Sequence, residues 1–295
     1  MQEYWRLHSQ RWSGIDFSKD PEGLTNVLIP GEALWLNRHF ARMHKMVYAN
    51  LFAMIPGPNP GARALDMGCG AGRWTRFLAD HGYKATGIDL QPELIDGNRK
   101  RHPDLEFFNI AIQDFNPAER FDLISSVTVI QHTPYDQHDR IITKIRELLK
   151  PGGYALILEN ISEQLPHIFP HPLEEWKEKF AKVGFQCLAD KKFNYDLFLK
   201  WHSRVQKAAF SFLKPSSADT EPIKENDLTP QKFLDLTTPA LRPAKGNRIL
   251  HSLNLAAKRM AVAMDSLVEP ILIQTNSKLG AAHCGFLFKV ITRSA

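Results

Sequence analysis

Apolar positions along the 295-residue chain change their rhythm several times. Residues 31–55 place apolar side chains widely round a helical wheel and stop at a Pro- and Gly-rich stretch at 56–61, which predicts one long helix. A shorter helical pattern covers residues 2–12. From Ala62 the pattern becomes short apolar runs at 64–67, 85–89, 105–108, 121–129 and 154–158. Helix-length segments at 73–81, 93–101 and 136–150 separate them. Strand and helix alternating at this pitch imply βαβ units and a parallel sheet, with right-handed crossovers fixing most of the topology.

A further helix is predicted over 171–183. Pro172 suits its first position, Glu174 and Glu175 complement the helix dipole, and Gly184 suits its end. Leu173, Trp176, Phe180 and Val183 form its apolar stripe. A strand should follow at 185–188, and the last strand at 284–291. Between those two strands lie amphipathic helices running from Leu197 to Phe212 and from Ile249 to Leu267. They are joined by a polar, proline-bearing stretch at 214–246 that reads as a long loop. The expected organisation is cap helices in 1–61, an α/β core in 62–194, a helical insertion or lid in 195–280, and a final antiparallel core strand in 281–295.

Composition sets the frame for this pattern. Hydrophobic residues make up 43% of the chain and charged residues 23%, enough apolar material for a proper core and too much for a disordered chain. No run of 18 apolar residues can span a bilayer, and no apolar segment after the start forms a secretory signal. Cys69, Cys187 and Cys284 are too few for a disulfide framework and include no C-x-x-C pair, so a reducing, cytoplasmic location is expected. The formal excess of +5 belongs to the second half: residues 1–160 carry −1 and residues 161–295 carry +6. No dense basic run accompanies it, so a solvated surface is the simpler reading, with attraction to an anionic acceptor compatible.

The chemistry concentrates at Leu65-Asp66-Met67-Gly68-Cys69-Gly70-Ala71-Gly72, which follows a predicted strand and opens a predicted helix. Glycines let the backbone turn sharply and let a ligand approach the amides, while the helix start favours a carboxylate or phosphate. Asp66 stands at the carboxyl end of its strand. Asp89 ends the next strand, 23 residues on, where a carboxylate can accept both hydroxyls of a ribose. A dinucleotide fingerprint requires G-x-G-x-x-G, whereas this loop is G-x-G-x-G with an acid two residues before it, which disfavours a nicotinamide cofactor.

That pattern resembles motif I of the Rossmann-like (class I) methyltransferases that use S-adenosylmethionine. The resemblance continues through Phe121-Asp122-Leu123-Ile124, Val129-Ile130-Gln131-His132 and Leu148-Leu149-Lys150-Pro151-Gly152-Gly153, covering about residues 62–190 plus the terminal strand. It implies a doubly wound, mostly parallel seven-stranded sheet with S-adenosylmethionine as methyl donor and no metal. By the same resemblance Asp66, Gly68, Gly70 and Gly72 hold the methionyl end of the cofactor. Asp89 binds the ribose, Leu90 lies against the adenine, and Val127 and Thr128 form the floor beneath the sulfonium. Where the family places an adenine-contacting Asp, this chain aligns Ile110, leaving Asn109, Gln113 or the backbone at Ala111 and Ile112 for that contact.

His132 follows the fourth strand at the edge where open α/β sheets bind ligands, and its ordinary pKa range suits a general base; a structural or cofactor contact is the alternative. Tyr135 and Asp136 stand close in sequence. His167 and His171 are separated by prolines that prevent a metal-binding helix face, and His39 and His44 point to different sides of theirs. Trp5, Trp12, Trp35 and Trp201 read as core or cap packing before walls of an acceptor pocket. The leading function is therefore O- or N-methylation of a small-molecule acceptor. The second reading is nucleic-acid methylation: base methylation is disfavoured, because Ser125-Ser126-Val127-Thr128 replaces the D/N-P-P-Y/F of amino-group base methylases and no Pro-Cys pair exists, while the basic second half keeps an RNA methyltransferase acting on ribose as the alternative. A non-catalytic cofactor binder, or a membrane-peripheral protein using residues 248–268, is the third reading, with few cations on that helix to support it.

Overall fold

The computed structural model describes residues 17–24, 28, 32–162, 168–213 and 248–292. The expected helix at 2–12, Trp5, Trp12, His167 and the expected loop at 214–246 lie outside them. Seven strands form one sheet in the order β3-β2-β1-β4-β5-β7-β6. They are β1 (Arg63–Met67), β2 (Lys84–Asp89), β3 (Glu106–Asn109), β4 (Phe121–Val127), β5 (Leu149–Asn160), β6 (Phe185–Phe193) and β7 (His283–Val290). β1 to β5 are parallel, and β7 inserts antiparallel between β5 and β6. This is the doubly wound, mostly parallel seven-stranded sheet that the family resemblance implies, with the βαβ units expected from the alternating pattern.

Among the described residues the α-helices are α1 (Leu34–Phe52), α2 (Arg73–Asp80), α3 (Pro92–Arg101), α4 (Tyr135–Leu148), α5 (Leu173–Lys182), α6 (Leu197–Leu213) and α7 (Arg248–Gln274). One core forms on the face carrying α4 and α5, where Ile141, Ile145, Trp176 and Phe180 meet Phe121, Ile157 and Phe286. On the other face Met43, Val47, Tyr48 and Leu51 of α1 pack with Trp74 and Leu78 of α2 against Leu123, Leu156 and Leu287. Both faces of the central strands are therefore dry, which is why they read as continuous apolar runs.

Several bounds differ from expectation for identifiable reasons. β4 stops at Val127 because Thr128 takes φ of 54°, which ends the ladder. β5 starts as soon as α4 ends: Leu149 pairs with Phe121 before a register shift absorbs the Pro151-Gly152 turn. β6 continues to Phe193 since β7 pairs with its whole length; its polar second half, Asp190-Lys191-Lys192, is that of an edge strand. Pro172 caps α5 in extended conformation and does not enter it. α7 runs through Pro270 to Gln274, anchored by Ile273 in the second core. Trp201 is 64% exposed and belongs to no core.

Candidate active site

Four parallel strands end side by side at Met67, Asp89, Val127 and Asn160, and the antiparallel β7 begins there at His283, opposite Asn160. Strand order reverses between β1 and β4, so the crevice for a ligand opens above their carboxyl ends. All the sequence-expected site residues lie on this edge or on the turns that leave it.

The glycine loop is fastened onto β2. The amides of Gly68 and Cys69 both donate to the carbonyl of Ile88, at 2.8 and 2.9 Å. Gly68 has φ of 69°, and a Cβ there would be driven into the Val129 side chain, so the tight turn needs glycine on two counts. Asp89 then accepts the Gly70 amide on Oδ2 at 2.9 Å and the Gln91 amide on Oδ1 at 3.0 Å. Burial raises its pKa above the ordinary carboxylate value, against these two hydrogen bonds. Each oxygen keeps lone-pair capacity for a further donor. Leu90 beside it is 42% exposed, an apolar platform at the mouth of the crevice.

Asp66 is buried and accepts the Thr75 hydroxyl at 2.7 Å. Loss of hydration lifts its pKa to about 7, while the bonds from Thr75 and the charge of Arg73 pull it back down. Asn109 turns its amide onto the carbonyl of Asp89 at 3.0 Å. That engagement takes its side chain toward Asp89. Ile112 is buried in the 3-10 turn Ile112–Asp114, with Ala111 ahead of it in extended conformation.

On the other side of the crevice, Thr128 bonds its hydroxyl to the Val127 carbonyl at 2.7 Å and its amide to Leu158 at the same distance. The turn Ile130–His132 follows, its amides converging on the buried Glu159. Val129 and Ile130 donate to Oε1 at 3.2 and 2.9 Å, and Gln131 to Oε2 at 3.0 Å. Burial still pushes Glu159 up to about 8, above what three amides can offset. Gln131 reaches back to accept the Asn160 amide at 2.7 Å. His132 is thus presented, half-buried, on a turn pinned from the end of β5. Tyr135 leaves this neighbourhood, donating its hydroxyl to the carbonyl of Pro170 at 3.0 Å.

The roof comes from α1. Tyr48 stacks on Trp74 at 4.0 Å and donates to Ser125 at 3.0 Å. His44 bonds Nδ1 to the carbonyl of Phe40, and burial holds its pKa down at about 4. Its neighbour His283 is likewise lowered, by burial first and then by the charges of His44 and His132. His39, five residues from His44, turns instead to Ser266 on α7. His171 is engaged by Glu175 at 2.7 Å and by His138 at 2.8 Å.

Sequence reasoning passed over Tyr48, Thr75, Glu159 and also Asn98, whose side-chain amide donates to the Gly70 carbonyl. Only Glu159 left a trace, as a charged residue closing the apolar run Ala155-Leu156-Ile157-Leu158.

A glycine turn gripped by an acid at the end of the second strand, under a seven-stranded sheet with one antiparallel member, defines the Rossmann-like class I methyltransferase architecture. Residues 38–211 match the family model described as a methyltransferase domain, more than half of the chain, and the chain belongs to that family. It is 38% identical over 99 residues to the ubiquinone biosynthesis O-methyltransferase of Coxiella burnetii, covering 32% of this chain and 41% of that protein. It is 28% identical over 167 residues to the trans-aconitate 2-methyltransferase of Escherichia coli O157:H7, covering 54% of this chain and 63% of the relative. The matches thus take in less than two thirds of either relative. The fold is similar to that of a Galdieria sulphuraria protein assigned as a sarcosine dimethylglycine methyltransferase. That likeness has a TM-score of 0.50 at 15% identity and covers 86% of this chain and 84% of that one.

The cofactor of this class is a nucleoside joined to an α-amino acid through a sulfonium, and the residues present fit it. Asp89 offers acceptors for two vicinal hydroxyls, Leu90 offers an apolar face, and Asp66 offers an acid to the ammonium of an amino acid end, the amides of Gly68, Cys69, Gly70 and Gly72 being bonded within the protein.

Proposed function

We propose that this protein transfers a methyl group from S-adenosylmethionine to a small-molecule acceptor through an oxygen or nitrogen atom. The carrying observation is Asp89, whose two oxygens clamp the glycine loop and the start of α3 while facing the crevice where strand order reverses. When bound, the cofactor would supply an electrophilic methyl on a sulfonium, open to in-line attack by an acceptor lone pair with the thioether sulfur as leaving group.

The protein's contribution is to hold the two reactants in register and to manage one proton. Asp66, Gly68, Gly70 and Gly72 hold the methionyl end, Asp89 the ribose and Leu90 the adenine. The backbone at Ala111 and Ile112 serves the adenine edge, and Val127 and Thr128 lie beneath the sulfur. His132 takes the proton of a hydroxyl acceptor, held in place by the Glu159-bound turn. An anionic acceptor suits the basic second half of the chain, and a reducing, cytoplasmic setting suits three unpaired cysteines. Among the described residues no helix is long and apolar enough to cross a membrane.

The test is isothermal titration of wild type and Asp89→Ala with S-adenosylmethionine, S-adenosylhomocysteine and NADH. Saturable binding of the first two, lost in the variant, supports the reading. Binding of NADH alone overturns it.

A further inference from the structure

Arg73 is the first residue of α2, directly after Gly72, and its side chain is 15% exposed. The guanidinium lies over the face of Trp74, 4.7 Å from the ring centroid, and Trp74 in turn stacks on Tyr48. A guanidinium carries five N–H donors in a fork that matches a carboxylate. Among the described residues Arg73 places none of them in a hydrogen bond. Its nearest carboxylate oxygen is Glu22 Oε2, at 3.8 Å, on a side chain that is 56% exposed. The arginine on the other flank of the loop differs: Arg101 donates to the Ala71 carbonyl at 3.2 Å and to the Asn98 side chain.

Two further facts define what would suit Arg73. Asp66 stands near enough to feel its charge yet bonds Thr75 instead, so a cation and an acid sit beside the same glycine loop without pairing. Opposite charges set apart in this way match a zwitterion, with a carboxylate for Arg73 and an ammonium for Asp66. The segment 17–24 that carries Glu22 also reaches Arg101, whose guanidinium lies 3.6 Å from the centre of the Phe17 ring. Glu22 is therefore a carboxylate held beside Arg73 on a segment whose Phe17 touches the other flanking arginine.

We propose that Arg73 anchors the carboxylate of the cofactor's α-amino acid end, and that Glu22 competes for the same guanidinium as a built-in carboxylate mimic. This rests on the cofactor reading above. The exchange replaces a long ion pair on an exposed side chain by a bidentate one in a shielded place, and it frees the Glu22 carboxylate from Arg73.

Isothermal titration with S-adenosylhomocysteine and with 5′-methylthioadenosine, which keeps the nucleoside and thioether but lacks the amino acid end, isolates the carboxylate. Arg73→Gln should weaken S-adenosylhomocysteine about 10- to 100-fold and leave methylthioadenosine unchanged. Glu22→Gln should tighten S-adenosylhomocysteine severalfold with the same indifference to methylthioadenosine. If Arg73→Gln fails to fold, Arg73→Lys, which keeps the charge without the fork, should show a smaller loss of the same selectivity. Equal weakening of both ligands would make Arg73 merely structural and overturn the proposal. An unchanged preference in a folded Arg73→Gln would also overturn it, leaving the guanidinium for an acceptor's carboxylate, which titration of the S-adenosylhomocysteine complex with glycine would reveal. Failure of wild type to bind S-adenosylhomocysteine would instead sink the cofactor reading itself.

Discussion

Asn98, fully buried on α3, donates its amide across the crevice wall to the carbonyl oxygen of Gly70 at 2.8 Å. The same nitrogen lies 3.7 Å from the sulfur of Cys69. One side chain thus couples the third helix to the turn that the second strand also holds. Asn98→Ala leaves that carbonyl without its donor, and the expected loss is about 1–3 kcal/mol. Urea unfolding measures it. Titration with S-adenosylhomocysteine should show weakened binding as the loop loosens; unchanged affinity would mean β2 alone fixes the loop.

Asp66 gives a pH dependence of defined sign. Its folded pKa of about 7 lies above the ordinary carboxylate range, so the folded chain holds a proton that the unfolded chain has already released. Its contribution to stability is complete below that range, declines as pH rises through about 7, and is flat above. Affinity for a cationic ligand should move oppositely, strengthening as Asp66 ionises, by at most about tenfold per pH unit for one proton. Thermal melts and S-adenosylmethionine titrations between pH 5 and 9 test both slopes, and Asp66→Asn should flatten them together.

His132→Ala separates a base from a structural histidine. With a hydroxyl acceptor the expected loss in kcat is about 10²- to 10⁴-fold, with cofactor affinity unchanged. Parallel loss of cofactor affinity would assign His132 to binding. Glu159→Ala should behave differently, because it strips three amides of their acceptor at about 1–3 kcal/mol each and destabilises the whole turn.

Two glycine substitutions form a matched pair. Gly68→Ala forces a side chain into the left-handed region and against Val129, so a loss of more than about 1–2 kcal/mol is expected. Gly57→Ala meets nothing within 4 Å and should be close to neutral. A melt of the two side by side decides whether the turn is as intolerant as its geometry requires.

The parts of this molecule that could be read from the chain are those governed by local rules. Buried parallel strands announce themselves as apolar runs, the turn after β1 as glycines, and the acid after β2 by its offset. What escaped depends on meetings between distant segments. Asn98 looks like any polar residue of a helix until α3 is laid beside the loop. Tyr48 becomes part of the crevice only once α1 packs on Trp74 and Ser125. The polar half of β6 carries no strand pattern because its partner supplies the order, pairing Asp190 to Phe193 with Phe286 to His283. Pro270 misplaced the end of α7 for a similar reason: Glu269 beside it accepts the amides of Tyr195 and Asp196, at 2.8 and 3.2 Å, and holds the helix against α6.

The position of β7 has a consequence for how the chain is made. β6 lies at the edge of the sheet with β7 as its neighbour, and β7 also completes the side of β5. During synthesis β6 leaves the ribosome long before β7 does, so a strand without its partner and the flank of β5 stay open while α6 and α7 are translated. Those open edges are templates for pairing with other chains. Expression at low temperature or with slowed initiation should therefore raise the soluble yield, and nascent chains ending before His283 should be bound by chaperones far more than chains that extend past Val290.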